Sequence, residues 1–166
     1  MLLLGNILSF AGCLLMVAAG FIKKKDRVLL IQCVQFTLMG SGHLCLGASS
    51  GVVANIVSIL RNLTFVKFKG TIWLKIFFVV LQFVMTLYTG LGEPISWIPL
   101  IAAVVYTWFL DLCGPIGFKV LNIGCQVLWC IYDLYFMNFA GFAFDVLSMI
   151  TNFWGIVLIR KSMGKA

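Results

Sequence analysis

His43, Asp133 and Asp145 each fall inside a long apolar run of the 166-residue chain. An ionisable group in a hydrocarbon layer is costly, so it marks a candidate solute or proton path. Two polar stripes accompany them. Gly51, Asn55, Ser58 and Asn62 recur at three- or four-residue spacing, and so do Gly141, Asp145, Ser148 and Asn152. On a helix such positions share one face. Each stripe offers a glycine, a hydroxyl and at least one amide, and the second adds a carboxylate. The chemistry they could do is to hydrogen-bond a small polar solute. The plainer alternative is helix glue, because Gly, Ser and Asn let helices approach closely and bond across the contact for about 0.6–2 kcal/mol.

A second polar layer sets Gln32, Gln35, Met39 and His43 against Asn122, Cys125, Trp129 and Asp133. His43 and Asp133 could pair across the bundle and titrate near neutral pH, coupling a solute to protons. They could equally form a structural hydrogen bond, or His43 could be wetted at the interface. Trp129 is a candidate platform for a sugar or base ring, although Trp in membrane proteins is often an interfacial belt residue. Asp145 needs a proton, a partner, water or a cation at its depth, which makes it a third proton-coupling candidate. The substrate-binding set is therefore Asn55, Ser58, Asn62, Asp145, Ser148, Asn152, Trp129, Gln32 and Asn122.

The elements that must position these residues are helices in a bilayer. The chain is 63% hydrophobic and 10% charged, with a mean hydropathy of +1.12. A soluble domain carries about 25% charge, so a separate soluble domain and a nucleotide-binding fold are excluded. A transmembrane barrel, whose strands alternate with a period of two, is excluded as well. Apolar spans are expected at 2–22, 28–46, 50–66, 71–90, 95–112, 116–136 and 139–159, with breaks at KKKDR, GASSG, KFKG, GLGEP, CGPIG and MNFAG. The second and third spans could also be read as one bent hairpin. Charge follows apolar sequence at the N-terminus, the reverse of a secretory signal peptide, so the first helix is expected to be retained.

The net charge of +7 does not require a nucleic acid. Eleven of the twelve Lys and Arg residues fall in four clusters: Lys23, Lys24, Lys25 and Arg27; Lys67, Lys69 and Lys75; Lys119; and Arg160, Lys161 and Lys165. Basic residues collect on the cytoplasmic side. Seven helices with the N-terminus outside and the C-terminus cytoplasmic put all four clusters inside, and leave Glu93 as the only charge in the outer loops. Six or eight helices would put some clusters outside.

Sliding the chain on itself by 90 residues aligns 29–63 with 119–153 without a gap. Gly51, Ser58 and Asn62 meet Gly141, Ser148 and Asn152, while Gln32 meets Asn122, His43 meets Asp133 and Asn55 meets Asp145. Because polar residues are rare in spans, their register weighs more than matched leucines. The expected fold is an all-α membrane protein with a 3+1+3 parallel repeat. Residues 1–66 form the first three-helix bundle, 67–92 the linker helix and 93–166 the second bundle.

The stretch KKKDRVLLIQCVQFTLMGSGHLCLGASSGVVANIVSILRNL resembles the YgjV-type family of bacterial inner-membrane proteins, through the basic cluster, Gln32, His43 ahead of LCLGASSG, and the Asn55…Arg61-Asn62 spacing. The resemblance implies a multi-pass location in the bacterial inner membrane and a fold related to the SWEET and PQ-loop group, without a substrate. Parallel repeats occur in SWEET transporters, whose matched Asn pair Asn55 and Asp145 resemble in position. No Pro-Gln dipeptide occurs, and Pro94, Pro99 and Pro115 all lie around the second bundle.

Enzymatic chemistry is not expected. There is one His, no Ser–His–Asp set near a water boundary, and no third ligand to join His43 and Asp133 at a metal. The six Cys are scattered through apolar segments and read as small apolar fillers. The expectation is a cofactor-free carrier or facilitator of a small polar solute, in contact with the lipid bilayer and able to work as a monomer or an oligomer. The rival is a non-transporting scaffold, assembly factor or partner subunit.

Overall fold

The computed structural model describes residues 1–22, 24–68, 71–90, 93–110 and 112–163. Lys23, Lys69 and Lys165 of the basic clusters, and residues 70, 91 and 92 of the expected breaks, lie outside the described residues.

Apolar runs of about 20 residues close their backbone hydrogen bonds internally as helices, as a bilayer requires. Among the described residues seven α-helices form: α1 Leu2–Gly20, α2 Lys25–Leu46, α3 Ser49–Lys67, α4 Ile72–Gly90, α5 Trp97–Phe109, α6 Pro115–Tyr135 and α7 Phe139–Met163. A 3₁₀ turn, Pro94–Ser96, leads into α5. No strand occurs among the described residues.

All but α5 are long and apolar enough to cross a membrane. The 13 residues of α5 rise only about 20 Å at 1.5 Å each, short of the roughly 30 Å hydrocarbon core. The expected span 95–112 thus becomes a tight turn and a shorter helix. At the other extreme α7 runs to Met163, beyond the expected 159.

Local chemistry sets the ends. Pro115 opens α6, where its missing N–H removes nothing the helix needs. Gly47 closes α2 in the left-handed conformation, so α2 and α3 are two helices joined by a two-residue turn. Lys67 ends α3, and Arg160 and Lys161 lie in the last turn of α7, where cations meet the negative end of the helix dipole. We call this the basic end of the bundle, and the opposite end, bearing Gly47 and Met137, the turn end.

α1 packs against α2 and α7, α5 packs against α6 and α3, and α4 contacts α3 and α5. The outer surface is apolar, with Leu44, Trp73 and Phe153 exposed, whereas His43, Asn62, Asp133 and Ser148 are wholly buried. Lys75 and Lys119, read from the sequence as charges at cytoplasmic positions, are buried: Lys75 Nζ donates to the Trp108 carbonyl and Lys119 Nζ to the Gly20 carbonyl.

Candidate functional site

Two side-chain bridges join α2 to α6. Seven residues into α2, Gln32 Nε2 donates to Asn122 Oδ1 at 3.4 Å. Near the other end of α2, His43 Nε2 lies 2.9 Å from Asp133 Oδ1. Each bridge connects residues 90 positions apart. The eleven-position step from Gln32 to His43 corresponds to about 16 Å along a helix.

Each bridge is buttressed. Gln32 Oε1 accepts from Asn62 Nδ2 at 3.1 Å and from the Tyr106 hydroxyl at 3.0 Å. At the turn end, Asn55 Nδ2 donates to the Gly51 carbonyl at 2.8 Å and sits 3.1 Å from His43 Nδ1. An amide donating to Nδ1 leaves the proton on Nε2, which donates to Asp133. Trp129 stacks on the imidazole at 5.7 Å and 9°. The Tyr132 hydroxyl accepts from the Gly51 N–H at 2.8 Å and shares a hydrogen bond with Ser50 Oγ at 2.9 Å. The wetted-histidine reading of His43 is therefore replaced: the ring is wholly buried.

A cavity of about 70 Å³, lined by residues of both bridges, includes Asn55, Ser58, Arg61, Trp129 and Asp145 in its wall. Since one water needs roughly 10–15 Å³ of such space, it has room for a few waters or a small solute. Three residues of its wall, Gln35, Gln126 and Asp145, each carry a buried oxygen (Oε1, Oε1 and Oδ2) with no hydrogen-bond partner. Among the described residues no group of three His, Cys, Asp or Glu converges.

Eight of the nine substrate-binding residues expected from the sequence line one or both of two cavities. Asn55, Ser58, Trp129, Gln32, Asn122 and Asp145 line this cavity. Ser148 and Asn152 line instead a crevice of about 10 Å³ on the far side of Gln32 and Asn122, beside Lys119. There Gln126 Nε2 and Asn152 Nδ2 both donate to Ser148 Oγ. Asn62 lines neither cavity, because its amide is engaged by Gln32 and Arg61. Of the proton-coupling candidates, His43 and Asp133 are in contact, while Asp145 stands on the cavity wall with Oδ2 unpartnered. Asn55 and Asp145 share the cavity, but Asn55 spends its amide on His43 and Gly51.

Sequence reasoning used Arg61 only as part of the family resemblance, not as a site residue, and passed over Gln126. Arg61 is buried in the cavity wall. Its Nε and Nη2 donate to Asn62 Oδ1 at 3.2 and 3.1 Å, and Nη1 donates to Thr107 Oγ1 at 3.1 Å. Its guanidinium carbon lies 4.5 Å from the centre of the Tyr106 ring. The signal was present, since Arg61 is the one basic residue outside the four clusters. Gln126 follows Asn122 by four positions, on the same helical face.

Fold and site together define a multi-pass helical membrane protein whose interior, rather than its surface, holds its polar chemistry. A family model described as bacterial inner membrane protein, Imp-YgjV, matches residues 3–163, and the chain belongs to that YgjV family of the bacterial inner membrane. No curated protein and no solved structure matches the chain.

Proposed function

We propose that the protein is a carrier or facilitator of a small polar solute that works by alternating access, and that it performs no covalent chemistry. The observation that carries this reading is the placement of the cavity between two bridges, His43–Asp133 and Gln32–Asn122. Opening one bridge while the other stays closed would expose the cavity to one side of the membrane at a time. Such bonds within a bilayer are worth about 0.6–2 kcal/mol, small enough for a bound solute to tip the balance between states.

The two moving bodies are a 3+1+3 parallel repeat: α1–α3 and α5–α7, with α4 as linker, resembling the SWEET and PQ-loop arrangement. Three features support it. The bridged residues are 90 apart. The contact of α1 with α7 is answered by that of α5 with α3. The turns after α2 and α6 share their hydrogen bonds: Ala48 N–H to the His43 carbonyl at 2.9 Å, Asn138 N–H to the Asp133 carbonyl at 2.8 Å. The basic clusters favour a cytoplasmic basic end, with the N-terminus outside.

The test uses Cys125, which lines the cavity, as the only cysteine in an otherwise cysteine-free chain. A membrane-impermeant thiol reagent is applied to right-side-out and to inverted vesicles. A carrier is labelled from both faces. Labelling from neither face or from one face only would favour the scaffold or partner-subunit reading.

A further inference from the structure

Two buried ionisable groups of opposite sign share the cavity wall without sharing a bond. Arg61 donates its hydrogen bonds to Asn62 and Thr107, both neutral. Among the described residues no carboxylate lies within 4.0 Å of it. A guanidinium has five N–H groups, and three of them are engaged here. Asp145 is buried as deeply, its Oδ2 unpartnered. Gln35 and Gln126, which line both this cavity and the neighbouring crevice, each add a buried Oε1 without a partner.

We propose that the cavity takes a small zwitterion, its anionic group received by Arg61 and its cationic group by Asp145, Gln35 and Gln126. This rests on the carrier reading and specifies its substrate class. The argument is one of exclusion by charge. A buried charge is costly unless it is paired. A neutral polyol satisfies the bare acceptors but brings no counter-charge to Arg61. A monocation answers Asp145 and is repelled by Arg61, and a monoanion answers Arg61 but leaves Asp145 to be neutralised by a proton. A ligand carrying both charges pairs both and adds no net charge to the bundle, so moving it through hydrocarbon avoids the penalty of a translocated ion. The cavity volume of about 70 Å³ limits the solute to a small molecule.

The experiment measures the melting temperature of the purified full chain in detergent. The probes are ω-amino acids from glycine to 5-aminovalerate, the n-alkylamines and n-alkanoates of matching length, and glucose. A ligand that binds the native state raises the melting temperature by mass action. One or more ω-amino acids will give a shift at least about twofold larger than the matching amine or acid, and larger than glucose. The favoured chain length then reports the reach from Arg61 to Asp145. Asp145→Asn and Arg61→Gln will each remove that shift, while Arg61→Lys, which keeps the charge, will retain part of it. If Arg61→Gln does not fold, Asp145→Asn decides.

The proposal is overturned by a singly charged probe or glucose that stabilises as well as the best zwitterion, by an undiminished zwitterion shift in Asp145→Asn, or by silence across the whole set. A glucose shift lost in Asn55→Ala, or silence with Cys125 labelled from both faces, removes the zwitterion and leaves the carrier standing. Silence with one-sided or absent labelling removes both.

Discussion

Gly47 and Met137 are the only two described residues with a positive φ, 76° and 55°, and they stand 90 positions apart. The left-handed conformation is open to glycine without penalty and costs an ordinary residue roughly 1–2 kcal/mol. The same turn is thus made once with the favoured residue and once without it. A Cβ added at Gly47 would meet no atom within 4 Å, and the Met137 side chain is exposed, so neither site has packing to confuse the effect. Met137→Gly should raise the melting temperature and Gly47→Ala should lower it, each by about 2–4 °C per kcal/mol. Thermal melts of both variants check the pair of opposite signs.

Gly51 and Gly141 press on the two halves of one bridge. A Cβ at Gly51 would stand 2.9 Å from His43 Nδ1 and 2.9 Å from Tyr132 Cε1, and one at Gly141 would meet the Asp133 carboxylate, with Cγ at 2.8 Å. Overpacking of this kind costs about 1–3 kcal/mol, and the strain falls on His43–Asp133. Gly51→Ala and Gly141→Ala should both lower stability and speed the labelling of Cys125 from the turn end, leaving the rate from the basic end unchanged. Labelling rates on oriented vesicles measure this.

The two bridges should differ in strength. His43–Asp133 is short and wholly buried, and removing one member of a buried pair costs about 3–5 kcal/mol because the other is stranded. His43→Ala and Asp133→Ala should each destabilise by that order, and the double variant by less than their sum, with a coupling of about 0.5–3 kcal/mol. Gln32–Asn122, at 3.4 Å and between neutral amides, should show a coupling near 0.6 kcal/mol, the average for hydrogen bonds in a membrane protein. A double-mutant cycle by denaturant or heat at each bridge tests the order.

Much of the site was legible because a bilayer makes polar residues expensive, so those that remain stand out. Gln32 with Asn122 and His43 with Asp133 emerge from the 90-residue register. A pairing of His43 with Asp133 across the bundle is among the readings they allow, whereas the Gln32–Asn122 bond is not, because register says which positions correspond and not whether they meet. The helices are legible within a few residues of their observed ends. The largest departure is the end of α7, four residues beyond the expected 159, while at α5 the expected 95–112 becomes a 3₁₀ turn and a helix over Trp97–Phe109. Arg61 was visible as a stray basic residue, but its role depends on Tyr106 and Thr107 of α5, partners that no local spacing reveals. The division of the stripes, with Ser148 and Asn152 behind the Gln32–Asn122 bridge, follows from the side chains that fill the bundle's centre. Helical periodicity fixes a face but not what stands in front of it.

The most direct test follows both ends of the bundle at once. Leu44 and Leu134 correspond near the turn end, as do Leu30 and Val120 toward the basic end, and all four are exposed. Spin labels at 44 and 134, and separately at 30 and 120, in a cysteine-free chain in lipid report the two separations by pulsed dipolar spectroscopy. Alternating access predicts two populations at each end that shift in opposite senses: conditions that lengthen 44–134 shorten 30–120. A single narrow distance at both ends, unmoved by Gly51→Ala or by any ligand that stabilises the protein, would contradict it and leave a rigid helical scaffold with a polar core.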